Sequence, residues 1–316
     1  MAAFDRPLMD RLVSICQHIH ENRVADIVGS DGNGAFGGLD GVRGRAYESA
    51  DDSHTSLVAV VDLVHDGEPH VVVAFRGTLS VDQKGASVRM RVDDWVKNFE
   101  AVPVDYVRPT APVVAGGAMG PTVARGKVHK GFQDEWASVR AQVVAELAAR
   151  PANVPVVVVG HSQGGAIAPI AAADLADAGR PPRVVYTFEA PRPGTAGFRD
   201  SFDLVRTPVY RMEYGRDIVP HVPLRSPLDA LLPWWTRTLG RFTFTSAGRA
   251  LAALTEKAHR DVGFVGVGEL RYAAEPDDAW AVVDEEALRG SRRLGLVRDA
   301  KRIFSDHGLE HYAKVR

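Results

Sequence analysis

The chain has 316 residues, of which 45% are hydrophobic, and a formal net charge of −2 at pH 7. This composition supports one large hydrophobic core, so we expect a single domain over residues 1–316. The near-zero net charge argues against a nucleic-acid-binding protein, which would need a concentrated excess of Lys and Arg. Cys16 is the only cysteine, which excludes an internal disulfide.

The N-terminal segment lacks the basic stretch and the long apolar run of a secretory signal peptide. We therefore expect a cytoplasmic protein, although secretion by a route without such a signal would leave the same sequence pattern. No apolar run reaches the length of a membrane span, so no transmembrane segment is expected. Apolar residues recur at helical spacing within Asp5–Val24. This spacing predicts an amphipathic helix with Cys16 on its buried face and with His18 and His20 in solvent.

Two apolar, β-branched runs follow, Leu57–Val64 and His70–Phe75, with a turn-forming segment between them. This pattern predicts a β-hairpin. The second run ends in Ala74-Phe75-Arg76-Gly77-Thr78, which by itself is typical of an ordinary turn. With a nucleophile downstream, the backbone N–H of Thr78 becomes a candidate donor to an oxyanion hole.

Residues 102–126 are rich in Pro, Gly and Ala and show no periodicity. A loop of this length in a compact domain is usually a functional cover or a disordered segment. The next predicted helix, Gln133–Arg150, has Trp136 and Val139 on its buried face. His129 precedes this helix and is a candidate general base, but we favour a structural role in which it fixes a tight turn.

The centre of the sequence is a strand followed directly by a helix. Val156–Val159 predicts a buried central strand, and the alanine-rich run after Gly165 predicts a helix packed against the sheet. Gly160-His161-Ser162-Gln163-Gly164 lies at the corner between them and fits G-x-S-x-G. This context favours a nucleophile elbow, in which the serine adopts a strained backbone conformation and exposes its hydroxyl.

Steric reasons explain the two glycines of this motif, and an electrostatic reason explains why a helix begins directly after the serine. Gly160 and Gly164 are predicted to lie too close to neighbouring backbone to carry side chains. The backbone N–H of Gln163, at the start of the helix, is available to a developing oxyanion. A phosphate-binding loop is the alternative, but the segment matches neither G-x-x-x-x-G-K-[ST] nor G-x-G-x-x-G.

Two further strands are predicted over Arg183–Phe188 and Pro208–Tyr214. Asp217 follows the second of them, at the edge of an open α/β sheet where catalytic groups gather. This position suits the acid of a triad in the chain order Ser, Asp, His. Without Ser162, a helix cap or a turn residue would be the favoured interpretation of Asp217.

The last third of the chain contains an insertion and the candidate bases. Residues 223–255 carry many leucines and aromatic residues, including Trp234-Trp235, and form either a second packed layer or, as we slightly favour, a cap over an apolar pocket. A late strand is predicted over Val262–Ala273, and residues 278–302 are predicted to be peripheral. A general base must lie within hydrogen-bond reach of the nucleophile, and His307 and His311 are the candidates.

The motifs occur in one order along the chain, from Ala74-Phe75-Arg76-Gly77-Thr78 through the serine motif to Asp217 and the last histidines. In this order the sequence resembles the class 3 lipases, the fungal-lipase-like branch of the α/β-hydrolases. The resemblance spans about Leu57 to Tyr312. It implies an α/β-hydrolase fold, with a mostly parallel central sheet, helices on both faces and cap or lid insertions, here at about 102–126 and 223–255.

The resemblance also implies a function. The protein is expected to be a triacylglycerol or acylglycerol lipase that hydrolyses carboxylic esters of small molecules or lipids through an acyl-enzyme intermediate. No metal or cofactor is expected, but transient contact with a lipid interface is. Ser162 is the expected nucleophile, Asp217 the acid and a late histidine the base. The N–H groups of Thr78 and Gln163 are the expected oxyanion donors. A carboxylesterase for short soluble esters and a non-catalytic binding protein with the same fold are the alternatives.

The resemblance favours one of the two late histidines as the base, and the sequence differs from the family pattern in two places. The last histidine of such lipases often stands five residues before a tyrosine, as His307 does before Tyr312, so His307 is the expected base. Glu189 stands where the family commonly has glycine, which places a carboxylate near the site. The polar stretch Leu79–Asp94 also separates the oxyanion strand from Trp95 by more than the family pattern, so we expect a rebuilt lid.

Overall fold

The computed structural model describes residues 3–21, 39–49, 57–77, 102–217, 219–223, 263–285 and 306–315. The strands, in chain order, are β1 (Val42–Glu48), β2 (Leu57–His65), β3 (Glu68–Phe75), β4 (Pro103–Asp105), β5 (Lys127–His129), β6 (Val156–His161), β7 (Val184–Phe188), β8 (Gly194–Thr195), β9 (Val209–Tyr214), β10 (Phe264–Val265), β11 (Glu269–Ala273) and β12 (Ala281–Val282). The α-helices are α1 (Arg6–Glu21), α2 (Lys130–Ala148), α3 (Gln163–Asp177) and α4 (Ala196–Val205). Short 3₁₀ helices cover Val219–His221 and Leu309–Lys314.

The main sheet has the strand order β1-β2-β3-β6-β7-β9-β11-β12 among the described residues. Its centre, from β3 to β11, is parallel, and the flanking pairs β1-β2, β2-β3 and β11-β12 are antiparallel. The predicted hairpin is therefore confirmed as β2 and β3. A second, small sheet has the order β10-β8-β5-β4.

The valine strand β6 is apolar throughout because both of its faces are buried. Val157 and Val159 lie in the hydrophobic cluster that includes the apolar face of α1. Val156 and Val158 lie in the cluster on the other face, formed with α2, α3 and α4. Helices thus cover both faces of a mostly parallel sheet, as the predicted α/β-hydrolase fold requires.

The predicted helices are confirmed with small shifts at their ends. The N-terminal amphipathic helix is α1, and Cys16 is buried in it as expected. The helix predicted over Gln133–Arg150 is α2, with Trp136 and Val139 buried. None of the helices in the described part of the chain combines the length and apolar character needed to cross a membrane.

The late strand predicted over Val262–Ala273 is divided between the two sheets, with β10 in the small one and β11 in the main one. Gly266 and Gly268 lie at the break. A Cβ at Gly266 would overlap the guanidinium group of Arg211, and Gly268 has a φ of +94°. A Cβ at Gly268 would also lie 2.3 Å from Val209 O, so the chain passes from β10 into β11 at a position that only glycine fits.

Residues 102–126 form neither a cover over the site nor an unstructured loop. They include β4, which pairs with β5, and a segment that packs on the C-terminal end of α3. There the N–H of Val113 donates to Ala178 O at 2.9 Å, and buried Arg125 binds Asp177 at 2.6 Å. This end of α3 lies opposite the end that follows Ser162, so the interpretation as a functional cover is wrong.

Three further predictions concern β1, the segment around Trp280 and residues that the structure does not describe. The glycine-rich composition of Gly29–Gly44 predicts an irregular surface segment, but residues 42–48 form β1. Trp280 is buried and stacks on Tyr312. The other residues of 278–285 are exposed or partly buried, so Trp280 alone departs from the predicted peripheral position. The helical spacing of Trp95, Val96 and Phe99 also predicts a short amphipathic helix over 92–101. That segment and residues 224–255 of the predicted insertion lie outside the described residues.

Candidate active site

Ser162 lies at the corner between β6 and α3. Its backbone has φ 53° and ψ −128°, an uncommon conformation for a residue other than glycine. This strained geometry is the one that the serine motif predicts. The N–H of Ser162 donates to Phe188 O at 2.9 Å, which ties the corner to the end of β7.

The glycines on either side of Ser162 allow backbone segments to pack at the corner. A Cβ at Gly160 would lie 2.1 Å from Gly164 O, and a Cβ at Gly164 would lie 2.3 Å from Phe75 O. The predicted steric role of both glycines is therefore confirmed. A Cβ at Gly77 would lie 3.0 Å from Ser162 Cβ, so the end of β3 lies directly beside the serine. Thr78, the next residue, lies outside the described residues.

His307 and Asp217 are brought to Ser162 from distant parts of the chain. His307 Nε2 lies 2.9 Å from Ser162 Oγ, and His307 Nδ1 lies 2.6 Å from Asp217 Oδ2. The N–H of Val219 donates to Asp217 Oδ1 at 3.0 Å. The other candidate, His311, stacks instead on the ring of Tyr214, with centroids 4.8 Å apart.

Asp217 is buried, and opposing effects act on its pKa. Burial raises the pKa because it disfavours the charged carboxylate. The charge and hydrogen bond of His307, together with hydrogen bonds from Glu189 and the Val219 N–H, outweigh burial and lower the pKa below its ordinary value. The side chain is therefore an ionised partner for the imidazole of His307.

His161, the residue before the serine, holds the backbone of His307. Its Nε2 lies 2.9 Å from the carbonyl oxygen of His307, and the two rings are 4.9 Å apart. Burial, followed by the charges of His307 and His20, lowers the pKa of His161 well below its ordinary value. The neutral ring therefore donates from Nε2 to this carbonyl.

His20 contacts the site from α1. Its ring lies edge-on to His161 with centroids 5.9 Å apart. The expectation that His18 and His20 are solvated is wrong, since both side chains are partly buried. The amphipathic spacing of the helix places both histidines at the edge of its apolar face. It does not show that His161, far along the chain, packs against this edge.

His129 occupies a different environment from His307. Its ring packs on Phe132 and Phe264, with centroids 4.4 and 5.4 Å away. Burial lowers the pKa of His129 to about 4, so the ring is neutral at physiological pH. The structural interpretation of His129 that the sequence favours agrees with this packing.

Glu189 directly follows β7 and is completely buried beside Asp217. Burial first, and then the Asp217 carboxylate, raise the pKa of Glu189 well above its ordinary value. The departure from the glycine of the family pattern therefore places a carboxyl group against the acid of the candidate triad. The sequence indicated a carboxylate near the site but not this contact.

One group of potential metal ligands occurs among the described residues, namely Asp5, His65 and Asp66. His65 Nε2 already binds Asp5 Oδ2 at 2.9 Å, and Asp66 lies in the exposed turn between β2 and β3. This turn is at the opposite end of β3 from the strand end beside Ser162. The group is therefore separate from the candidate active site.

Comparison of the sequence with known protein families identifies a match that includes most of the candidate site. The sequence profile of the family described as "Lipase (class 3)" matches residues 72–226, the segment that contains Ser162, Glu189 and Asp217. Residues 72–226 of the chain belong to the class 3 lipase family. The resemblance inferred from the order of the motifs is thereby confirmed.

Two of the curated relatives of the chain are fungal proteins. The chain is 29% identical to the "Secreted mono- and diacylglycerol lipase A" of Penicillium cyclopium over 184 residues, covering 57% of the chain and 52% of the relative. It is 32% identical to the "Secreted mono- and diacylglycerol lipase 1" of Fusarium solani over 156 residues, covering 48% of the chain and 39% of the relative. The chain thus spans about half the length of these relatives or less. Both are named as secreted, which contradicts the cytoplasmic expectation.

Solved structures of the family support the fold. The crystal structure of the lipase from Rhizopus microsporus var. chinensis matches with a TM-score of 0.57 at 18% identity. The match covers 97% of this chain and 87% of that chain. The predicted α/β-hydrolase fold is confirmed by this likeness together with the sheet topology.

Proposed function

We propose that the protein is a serine hydrolase of carboxylic esters, and that its substrates are acylglycerols. One observation carries the proposal: Ser162 Oγ, His307 and Asp217 form a continuous hydrogen-bonded chain with distances of 2.9 and 2.6 Å. This arrangement, on a strained serine between a strand and a helix, is the one that activates a hydroxyl nucleophile.

Each of the three side chains has a defined role in the proposed reaction. His307 Nε2 takes the proton of Ser162 as the oxygen attacks the ester carbonyl, and then gives this proton to the leaving alcohol. Asp217 accepts a hydrogen bond from His307 Nδ1, which fixes the tautomer and stabilises the imidazolium. Water then attacks the acyl-enzyme with the same base, which releases the carboxylic acid and restores the serine.

The oxyanion of the tetrahedral intermediate is proposed to bind two backbone N–H groups, those of Thr78 and Gln163. Gln163 is the first residue of α3, where backbone N–H groups have no partner within the helix. The closeness of Gly77 to Ser162 supports the proposal for Thr78, since Thr78 is the next residue.

The acylglycerol substrate is supported by the relatives named as mono- and diacylglycerol lipases. We propose transient contact with a lipid interface on the same grounds. We also propose that residues 1–316 form one domain with insertions at about 102–126 and 223–255. The substrate and the interface contact depend on the test of substrate class, whereas the domain organisation is a separate proposal.

Hydrolysis of p-nitrophenyl esters from acetate to palmitate tests the reaction and the substrate class together. Ser162→Ala and His307→Ala are each expected to lower kcat by at least about 1,000-fold, and Asp217→Asn by about 10,000-fold or less. His311→Gln is the matched control for His307, because it changes a neighbouring histidine that stacks on Tyr214. This variant is expected to keep its rate within a few-fold.

Three results would refute the proposed mechanism or the proposed substrate. Full activity of a folded Ser162→Ala protein, or no labelling of Ser162 by a fluorophosphonate probe, would exclude the serine mechanism. Activity confined to the shortest esters, with no rise when the substrate forms droplets, would replace the acylglycerol lipase with an esterase for soluble esters.

A further inference from the structure

The carboxyl group of Glu189 lies beside the proposed triad but takes no direct part in the hydrogen-bonded chain. Glu189 has a relative exposure of 0% and a φ of 45°, which is uncommon for a residue other than glycine. Its N–H donates to Met212 O at 3.1 Å, so the residue is fixed against β9. A buried acid at a strained position is costly, and such positions persist where the surroundings hold them in place.

The two oxygens of Glu189 have different partners. Oε1 accepts a hydrogen bond from the N–H of Tyr214 at 2.6 Å and lies 3.0 Å from the hydroxyl oxygen of Tyr312. No N–H or O–H group of the described residues donates to the buried Oε2. The Glu189 carboxyl also faces the Asp217 carboxylate, which after burial is the largest cause of the raised pKa of Glu189. Since Asp217 is a carboxylate, this contact requires a proton on one of the two carboxyl groups.

The surroundings place that proton on Glu189. Asp217 has two donors that stabilise a negative charge, His307 Nδ1 at 2.6 Å and the Val219 N–H at 3.0 Å. Among the described residues, the titratable groups that most affect the pKa of Glu189 or of its partner Tyr312 are Asp217, Glu213 on β9 and the two side chains themselves. None of these groups is a cation, and two buried carboxylates in contact strongly repel each other.

We propose that Glu189 is a positioning residue, whose protonated Oε2 donates a hydrogen bond to Asp217 and holds that carboxylate in the orientation it presents to His307. The inference rests on the proposed function, because the orientation of Asp217 matters only if His307 acts on Ser162. Glu189 itself touches neither the nucleophile nor the base in this arrangement. Its effect on the reaction passes through Asp217.

Two substitutions separate the hydrogen bond from the side-chain volume. Glu189→Gln keeps an oxygen for the Tyr214 N–H and supplies an N–H donor to Asp217, but it cannot titrate. It is expected to keep kcat/KM within about threefold, because a comparable hydrogen bond is remade. Glu189→Leu has similar bulk and no donor, and is expected to lose about tenfold to a hundredfold in kcat while KM changes little.

The pH profile distinguishes a neutral Glu189 from a charged one. Because the proposed Glu189 and a glutamine are both uncharged, the acid limb of the kcat/KM profile is expected at the same pH in wild type and Glu189→Gln. A charged Glu189 would instead stabilise the imidazolium of His307, so its removal would move the acid limb down by about one pH unit or more. On the alkaline side, Glu189→Gln is expected to stay active to higher pH, since it has no proton to lose.

Infrared difference spectroscopy of wild type minus Glu189→Gln gives a readout that does not depend on activity. The expected result is a C=O band of a protonated carboxyl group at neutral pH, shifted in D₂O. Absence of that band, or a downward shift of the acid limb in Glu189→Gln, would overturn the inference. So would full kcat in a folded Glu189→Leu protein, and if this variant does not fold, Glu189→Gln alone decides. Fluorophosphonate labelling of wild-type Ser162 is scored separately, so failure of the proposed function is distinguishable from failure of this inference.

Discussion

Replacing Gly164 with alanine tests how tightly the nucleophile corner is packed. The added Cβ would lie 2.3 Å from Phe75 O and 2.7 Å from Arg76 O. Ordinary contacts begin near 3.4 Å, so α3 and the end of β3 would have to separate by about 1 Å, a misplacement that can cost about 100-fold in rate. Forcing a methyl group into such a site also costs about 1–3 kcal/mol of stability.

The matched control for this substitution is Gly197→Ala in α4. Gly197 is exposed, and its added Cβ would meet its nearest neighbour, Gly126 Cα, at 3.4 Å. Alanine is the better helix former, so this variant is expected to be neutral or up to about 1 kcal/mol more stable.

The assay for both variants is ester hydrolysis beside thermal and urea unfolding. The reasoning predicts that Gly164→Ala loses both rate and stability and that Gly197→Ala loses neither. If Gly164→Ala keeps the wild-type rate and melting temperature, the end of β3 does not lie as close to α3 as the structure shows, and the reasoning is refuted.

Three further predictions concern stability and reactivity away from the nucleophile. The pKa of His129 falls from 6.5 to about 4 on folding. Between pH 6.5 and about 4 the unfolded state therefore binds a proton at His129 that the folded state does not bind. Lowering the pH through this range should cost up to about 3 kcal/mol of unfolding free energy. His129→Gln should flatten that part of the curve of unfolding free energy against pH, and an unchanged slope would contradict the burial of a neutral ring. Asp177→Ala leaves the buried cation of Arg125 unpaired and should cost about 3–5 kcal/mol in urea unfolding, whereas the exposed Asp134→Ala should cost about 0.5 kcal/mol or less. Burial raises the pKa of Cys16, so a thiol reagent should label it only as fast as the protein unfolds, and rapid labelling of the folded protein would disprove its burial.

The parts of the site that sequence could predict are those with a local cause. The strand, the glycines and the helix around Ser162 are contiguous, and each is required by the sharp turn itself. Asp217 was predicted because catalytic groups collect just past the strand ends of an α/β sheet. The choice between His307 and His311 came from the family resemblance, since both histidines satisfy the same local pattern.

The parts that sequence could not predict depend on contacts between distant segments. The ring of His20 on α1 meets His161 only because α1 packs across the end of β6. The late strand is divided into β10 and β11 beside Gly268, where a Cβ would lie 2.3 Å from Val209 O on the neighbouring strand β9. The local periodicity of a sequence does not predict contacts between distant segments. A glycine within a strand pattern indicates that another group lies close by, but it does not identify that group.

The topology explains why Glu189, of all buried acids, meets Asp217. In the main sheet β7 lies between β6 and β9, and all three are parallel. Their carboxyl ends therefore meet at one edge, with Ser162 following β6, Glu189 following β7 and Asp217 following β9. A side chain directly after β7 must point away from the site, be absent as in glycine, or be neutral against the carboxylate of Asp217. A protonated glutamic acid satisfies the last condition and adds a hydrogen bond, so a position that needs no side chain for the fold can support the orientation of the acid.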